Sequence, residues 1–192
     1  MGRMEADDDA LVAQARAGDQ DAFRGLVERH SRAVFRLAYR MTGNESDAED
    51  VVQEAFLRAY RRLEQFEMKS RFGSWLHRIA ANCAYDLLRS RARRDEEPLS
   101  PEPEEGKDRM PAAEAPAPDQ LVWGSEVRRR VKAAMGRLSH LEKSAFVLRH
   151  YEGLTMEEIG GVLGVEPNAA KHTVFRAVRK LRDALQPLVA SS

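Results

Sequence analysis

The sequence predicts an all-α protein made of two small helical domains joined by a flexible linker. Three observations carry this expectation. Apolar residues recur at spacings of three and four along most of the chain, and no stretch shows the period-two alternation of Val, Ile and Thr that marks strands. Six of the eight prolines (Pro98, Pro101, Pro103, Pro111, Pro116 and Pro118) fall between Asp95 and Asp119, a stretch with almost no large apolar residues. Helix start and stop signals flank the periodic segments on both sides of it. The expected division is a first domain over 1–94, a linker over 95–119 and a second domain over 120–192.

The first expected helix runs from Asp21 to Met41, with Phe23, Leu26, Val27, Val34, Leu37, Ala38 and Met41 at helical spacing, and Gly43-Asn44 stops it. Ser46-Asp47-Ala48-Glu49 reads as a capping box opening a second helix. That helix puts Ala48, Val51, Val52, Ala55, Phe56, Ala59 and Leu63 on one face. A break near Glu67–Arg71 precedes a third helix, from about Phe72 to Arg93, whose apolar stripe holds Trp75, Leu76, Ile79, Ala80, Cys83, Leu87 and Leu88. In the linker, proline removes backbone donors and fixes φ, and acidic, apolar-poor composition cannot offset chain entropy, so an extended, mobile segment is expected.

Beyond the linker, Val127, Val131, Ala134, Met135 and Leu138 mark one helix, and Glu142 to Tyr151 a second with Phe146, Val147 and Tyr151 on its apolar face. Thr155-Met156-Glu157-Glu158 is another capping box, opening a short helix with Met156, Ile159, Val162 and Leu163 that ends at Gly164. Pro167 then stands where the first helical position tolerates a residue without an amide proton. A long helix follows, with Ala170, Val174, Val178, Leu181 and Leu185 as its buried stripe. Short helix, glycine turn and long helix make a helix-turn-helix.

Net charge is zero, with 31 basic and 31 acidic side chains, but the charge is segregated. Residues 1–57 carry net −5, 58–94 net +7, 95–119 net −7 and 120–192 net +5. Two basic blocks suggest two polyanion-facing surfaces, against the alternative of solvated helix faces that cluster. No apolar run approaches the roughly 18–20 residues that span a bilayer. The N-terminus lacks the apolar core of a secretory signal, and no long extension follows Leu188, so neither export nor a further sensory domain is expected. A single cysteine, Cys83, rules out an internal disulfide and a multi-cysteine zinc site, in keeping with a cytoplasmic protein.

In the helix-turn-helix, the face away from the buried stripe offers Asn168, Lys171, His172, Phe175, Arg176 and Arg179. Asn suits adenine, Lys suits guanine and an apolar side chain suits the thymine methyl. Arg176, Arg179 and Lys180 are placed for phosphates. The block 58–94 interleaves cations with Tyr60, Phe66, Phe72, Trp75 and Tyr85, which suits single strands, although Phe72 and Trp75 read better as core. Asp47, Glu49, Asp50 and Glu54 form an acidic cluster, but no companion ligand spacing accompanies it, and acidic residues are favoured in a helix's first turns, so a protein-facing patch is expected and no metal. The five histidines show no ligand spacing, and there is no nucleophile setting or phosphate-cradling glycine loop, so neither cofactor nor catalysis is expected.

The run from Asp47 to Phe56 (DAEDVVQEAF), then Phe66, Phe72 to Asn82 (FGSWLHRIAAN), Asp86 and Arg89, resembles conserved region 2 of the extracytoplasmic-function (group IV) sigma factors of bacterial RNA polymerase, of the sigma-70 family. Leu154 to Ile159 (LTMEEI), with Lys171 and Phe175-Arg176-Ala177, resembles their region 4. The resemblance covers about Leu11 to Leu188. It implies that Asp50, Gln53 and Glu54 dock on the β′ clamp helices of core polymerase. It implies that Phe66, Glu67, Met68, Lys69, Ser70 and Arg71, with Asn82 nearby, capture a flipped base of the −10 element. Region 4 is then implied to read the −35 element as duplex and to touch the β-flap, with the linker running toward the RNA exit path. Many members are held inactive by an anti-sigma factor, often a membrane protein, and serve stress responses. The run Ala169-Ala170-Lys171-His172-Thr173 departs from the Thr-Val-Lys-Ser-Arg often found there.

The resemblance and the residues together point to a promoter-specificity subunit that initiates transcription and is not itself an enzyme. An ordinary helix-turn-helix repressor leaves residues 47–94 without a role, and a helical adaptor that sequesters a regulator predicts no specific DNA binding. A nucleic-acid enzyme lacks its metal or nucleophile set.

Overall fold

The structure is a computed structural model describing residues 2–67, 70–96 and 129–189, with side chains described over 7–67, 70–94 and 129–186. The described residues form eight α-helices and one turn of 3-10 helix, with no strand among them. The helices are α1 (Gly2–Arg16), α2 (Gln20–Thr42), α3 (Glu45–Arg61), α4 (Phe72–Glu96), α5 (129–136), α6 (His140–His150), α7 (Met156–Leu163) and α8 (Pro167–Val189). The 3-10 turn, Leu63–Gln65, follows α3. The all-α expectation therefore holds. The predicted linker lies outside the described residues except where α4 runs to Glu96.

In the N-terminal unit α2 packs against α1, α3 and α4, and α3 packs against α4. Asp19 caps α2 by accepting from the Asp21 and Ala22 amides at 2.9 and 3.2 Å, and Gly43 closes it by donating to the Tyr39 carbonyl at 2.8 Å. Between those caps Leu26, Val34, Leu37, Ala38 and Met41 are fully buried. Burial of each of the larger side chains stabilises by roughly 1.5–3 kcal/mol.

The start of α3 corrects the sequence reading. Asn44, not Ser46, is the cap; its side chain accepts from the Asp47 amide at 3.0 Å, and Ser46 is already inside the helix. An Asn just after the glycine stop caps the helix two residues earlier, at the Asp47 amide, so the capping pattern starting at Ser46 has no free helix end to serve. Asp47 is also no part of an exposed acidic patch. It is 2% exposed, and its carboxylate pairs with both terminal nitrogens of Arg91 on α4.

Helix α1 was not foreseen. Val12 and Ala15, three apart, enter the core, and Asp8 pairs with Arg29 at 2.6 Å and His30 at 2.9 Å on α2.

In the C-terminal unit α8 packs on α6 and α7, and Ala134 and Leu138 join Ala177 and Leu181 in a small cluster beside α5. Ser139 and Glu142 form a capping box at the start of α6, and Thr155 and Glu158 form the predicted one at α7. Gly164 adopts φ 66°, a conformation an L side chain resists, and a Cβ at Gly160 would stand 2.6 Å from the Val165 carbonyl. Both glycines are therefore required by the tight turn between α7 and α8. Tyr151, expected on an apolar face, is instead 53% exposed, with the Arg40 guanidinium 4.4 Å from its ring centroid. It lies past the last turn of α6, where the helical phase no longer applies.

The two units share one continuous apolar core rather than standing apart. Helix α6 rests on α2 and α4, and α7 rests on α4. Arg40, His77 and Arg78 from the first unit meet Glu152 and Glu158 from the second.

Candidate functional site

Three surfaces carry the residues singled out in the sequence. The first is α8. Its buried side is Ala170, Thr173, Val174, Ala177 and Leu181, which turns the opposite side outward. Asn168, Lys171, His172, Phe175, Arg176 and Arg179 are all exposed, Phe175 at 66%. An exposed phenylalanine among cations is a poor solvent-facing choice and a good surface for a base methyl. Arg176 and Lys180 are not free cations, however. Both turn toward Glu142 on α6, Lys180 at 2.7 Å and Arg176 at 3.7 Å, and Arg176 also donates to the Thr173 hydroxyl at 3.1 Å.

Glu142 was not singled out in the sequence. Burial by itself raises its carboxyl, but the Lys180 ammonium and the Ser139 amide outweigh it and hold Glu142 below the usual carboxylate range. The Ser139-x-x-Glu142 pattern that starts α6 is the signal that finds it.

The second surface is the loop between the 3-10 turn and α4. Glu67, Ser70 and Arg71 are exposed, and Met68 and Lys69 lie outside the described residues. Phe66 is 2% exposed, with its ring 5.0 Å from Trp75 and 5.9 Å from Phe72. An apolar ring flanked by two others gains by burial and supports the loop from beneath. Phe72 is 1% exposed and Trp75 half-buried, so the core reading of both holds. Asn82 lies half-buried one helical turn beyond Arg78 and donates to its carbonyl at 2.8 Å. Arg16, from α1, reaches the carbonyls of Leu63, Glu64 and Phe66 at the entrance to this loop.

The third surface is the outer side of α3. Asp50 and Gln53 are exposed, and Glu54 is half-buried. Glu54 is already paired, 2.6 Å from Arg58, which lies 3.3 Å from Asp86 on α4. Gln53 borders an open apolar groove between α2 and α3, where Leu57 and Tyr60 stand 45% and 50% exposed. A polar set beside exposed apolar area has the composition of a protein interface.

Cys83 lies 3% exposed in the core, and burial pushes its thiol up to about 11, which makes it an inert core side chain. Among the described residues no group of three or more His, Cys, Asp or Glu could hold a metal ion, and no helix is long and apolar enough to cross a membrane.

A helix-turn-helix with a basic outer face, carried with a second helical unit, defines a helical DNA-binding protein. Residues 26–94 match the family model described as Sigma-70 region 2, and residues 128–181 the one described as Sigma-70, region 4. The chain belongs to the sigma-70 family of RNA polymerase sigma factors, in its extracytoplasmic-function group. It is 40% identical over 171 residues to the ECF RNA polymerase sigma factor SigE of Mycolicibacterium smegmatis, covering 88% of this chain and 64% of that protein. It is 31% identical to the ECF RNA polymerase sigma factor SigW of Bacillus subtilis, over 92% of this chain and 96% of that one. It is 34% identical to the ECF RNA polymerase sigma-E factor of Escherichia coli, over 95% and 96% respectively. Among solved structures, CnrH in complex with the cytosolic domain of CnrY matches with a TM-score of 0.59 and 29% identity, over 94% of this chain and 98% of that one. The sigma factor RpoE in complex with the anti-sigma factor NepR from Bartonella quintana matches with a TM-score of 0.59 and 25% identity, over 85% and 96%.

Proposed function

We propose that this chain is a cytoplasmic, non-catalytic promoter-specificity subunit that recruits core RNA polymerase to promoters with its own −35 and −10 elements. Its working parts are a region 2 domain over 1–94, a linker over 95–119 and a region 4 domain over 120–192. The observation that carries the reading is the exposure of all six candidate base- and phosphate-facing side chains of α8 in a chain that also carries region 2. Asn168, Lys171, His172 and Phe175 are nearest the helix N-terminus, the end that meets base edges in the major groove. Arg176 and Arg179 lie further along and meet phosphates, which give affinity without sequence information.

The loop at Glu67–Arg71, with Asn82 nearby, takes an unpaired base of the −10 element. No bond is made or broken in melting. Capture of a flipped base offsets a few kcal/mol of unstacking and draws the duplex toward its open form. Asp50 and Gln53, with the apolar groove beside them, dock on polymerase, and Glu54 acts there as part of the Arg58 pair. An anti-sigma factor is the expected regulatory partner, since the similar sigma factor RpoE was solved in complex with the anti-sigma factor NepR.

The test is run-off transcription by core polymerase over a promoter library, with and without this chain. Transcripts that start at shared −35 and −10 elements only when the chain is present support the reading. Sequence-specific DNA binding without core polymerase, and no transcripts with it, would establish a repressor instead.

A further inference from the structure

We propose that Glu142, at the start of α6, is a positioning residue that fixes where Arg176 and Lys180 of α8 present their charge to the −35 duplex. The inference rests on the reading of α8 as the −35 helix. Glu142 is 5% exposed and lies 38 residues from Lys180 in the sequence, on a different helix. Its Oε2 accepts from Lys180 Nζ at 2.7 Å and from the Ser139 amide at 3.0 Å, and its Oε1 stands 3.7 Å from Arg176 Nε. Burial raises the Glu142 carboxyl, but the Lys180 ammonium and the Ser139 amide lower it by more, so it is a carboxylate near neutral pH. One buried anion therefore serves two cations of the helix that faces DNA.

Thr173, Arg176 and Lys180 follow one another at spacings of three and four, which makes them one row along α8. The row runs between the buried stripe and the outward set of Asn168, Lys171, His172 and Phe175. Thr173 is buried, and its hydroxyl donates to the Ala169 carbonyl at 2.8 Å and accepts from Arg176 Nη2 at 3.1 Å. The Arg176 guanidinium is thus held by a buried carboxylate at Nε and a buried hydroxyl at Nη2. Even so, the Arg176 and Lys180 side chains stay 55% and 51% exposed, so both cations remain within reach of a phosphate. A cation on a loose side chain meets any phosphate nearby. A held one meets a phosphate at one place and loses less rotamer freedom there. The carboxylate also offsets one of the two charges, which lowers the counterion release that drives binding to any sequence. Both effects favour the duplex whose base contacts already fix α8 in the groove.

The test uses holoenzyme assembled from core polymerase and the full chain, with circular dichroism of each variant as the folding control. One probe is a −35 duplex from a promoter found by run-off transcription, and the other a scrambled duplex of the same length, each titrated at several salt concentrations. Glu142→Gln keeps the shape and removes the charge. It is expected to lower the preference for the −35 duplex about tenfold and to steepen the salt slope on the scrambled duplex by about one. In a chain that already carries Arg176→Ala and Lys180→Ala, adding Glu142→Gln is expected to change the preference less than about twofold, because its effect runs through those two side chains. A folded Glu142→Gln chain with wild-type preference and slope overturns the proposal. So does an equal loss on both duplexes, which marks general support of the fold, and so does a full Glu142→Gln effect without Arg176 and Lys180. If wild type itself shows no preference for the −35 duplex, the −35 reading falls and this inference with it. If Glu142→Gln does not fold, Glu142→Asp is read instead. It keeps a carboxylate but draws it back one methylene from both cations, so the preference is expected to fall about threefold, and wild-type preference overturns the proposal.

Discussion

Replacing Glu152 by Gln tests how the two helical units hold each other. The Glu152 side chain is 12% exposed and uses one oxygen for each partner: Oε2 stands 2.9 Å from His77 Nδ1 and Oε1 stands 3.6 Å from Arg40 Nη1. Leu37, Leu148 and Leu154 line the same seam. A charge-assisted hydrogen bond contributes about 1.5–3 kcal/mol when desolvated, and an exposed pair about 0–1 kcal/mol. Arg40 and His77 are 39% and 30% exposed, so screening discounts the first figure. The estimate for losing the charge is about 1–2 kcal/mol, a five- to thirtyfold shift from the closed toward the open arrangement. Gln keeps the shape, so the change reports charge and not packing. The assay is energy transfer between dyes on Glu49→Cys and Arg182→Cys, both exposed positions, in the full chain. Buried Cys83, its thiol pushed up to about 11, stays unlabelled. Transfer is expected to fall in Glu152→Gln, and to fall in wild type as salt rises. Unchanged transfer in both experiments would refute the argument and leave the apolar seam as the sole tie.

The other predictions concern single contacts. Arg91→Ala strands the buried Asp47 carboxylate and should cost more than Asp47→Ala, about 2–4 against 1–2 kcal/mol, because Arg91 is 47% exposed and rehydrates while Asp47 cannot; urea melts of both variants compare them. The Glu142 carboxyl is lowered in the folded chain, so its stabilising effect is full above the ordinary carboxylate value and is lost as pH falls through the folded one. Thermal melts between pH 6 and pH 3, run at about one-unit steps, should show an acid limb that Glu142→Gln flattens. Asp50→Arg should leave the melt within about 0.5 kcal/mol of wild type yet weaken core polymerase binding at least tenfold, measured by direct titration. Glu54→Arg is the poorer test, because it also places a second cation against Arg58. Lys171→Ala should weaken discrimination among −35 variants by about 1–3 kcal/mol, whereas Arg179→Ala should lower affinity for all of them alike and reduce the salt slope by about one, both read from holoenzyme binding at several salt concentrations.

What the sequence determined by itself was local. Apolar spacing of three and four, the Thr155-Glu158 cap, the Gly164 stop and Pro167 place α7 and α8 because each acts within a turn or two of chain, and those same rules fix which side of α8 faces out. The family motifs likewise point to α3 and the Glu67–Arg71 segment as the places proposed for polymerase docking and −10 binding. Tertiary structure decided whatever depends on partners far apart in sequence. Asp47 reads as surface acid until α4 brings Arg91 to it across 44 residues, and Glu54 reads as a free docking charge until Arg58, which Asp86 also holds, pairs with it. Phe66 reads as a base-stacking ring until Phe72 and Trp75 bury it. The N-terminal helix carries too few apolar residues to announce itself, yet through Arg16 it reaches the Leu63 carbonyl in the 3-10 turn, 47 residues away. The closed seam at Glu152 is furthest from the reach of sequence. A charged pair between two folded units depends on how their surfaces meet, and periodicity along one chain says nothing of that.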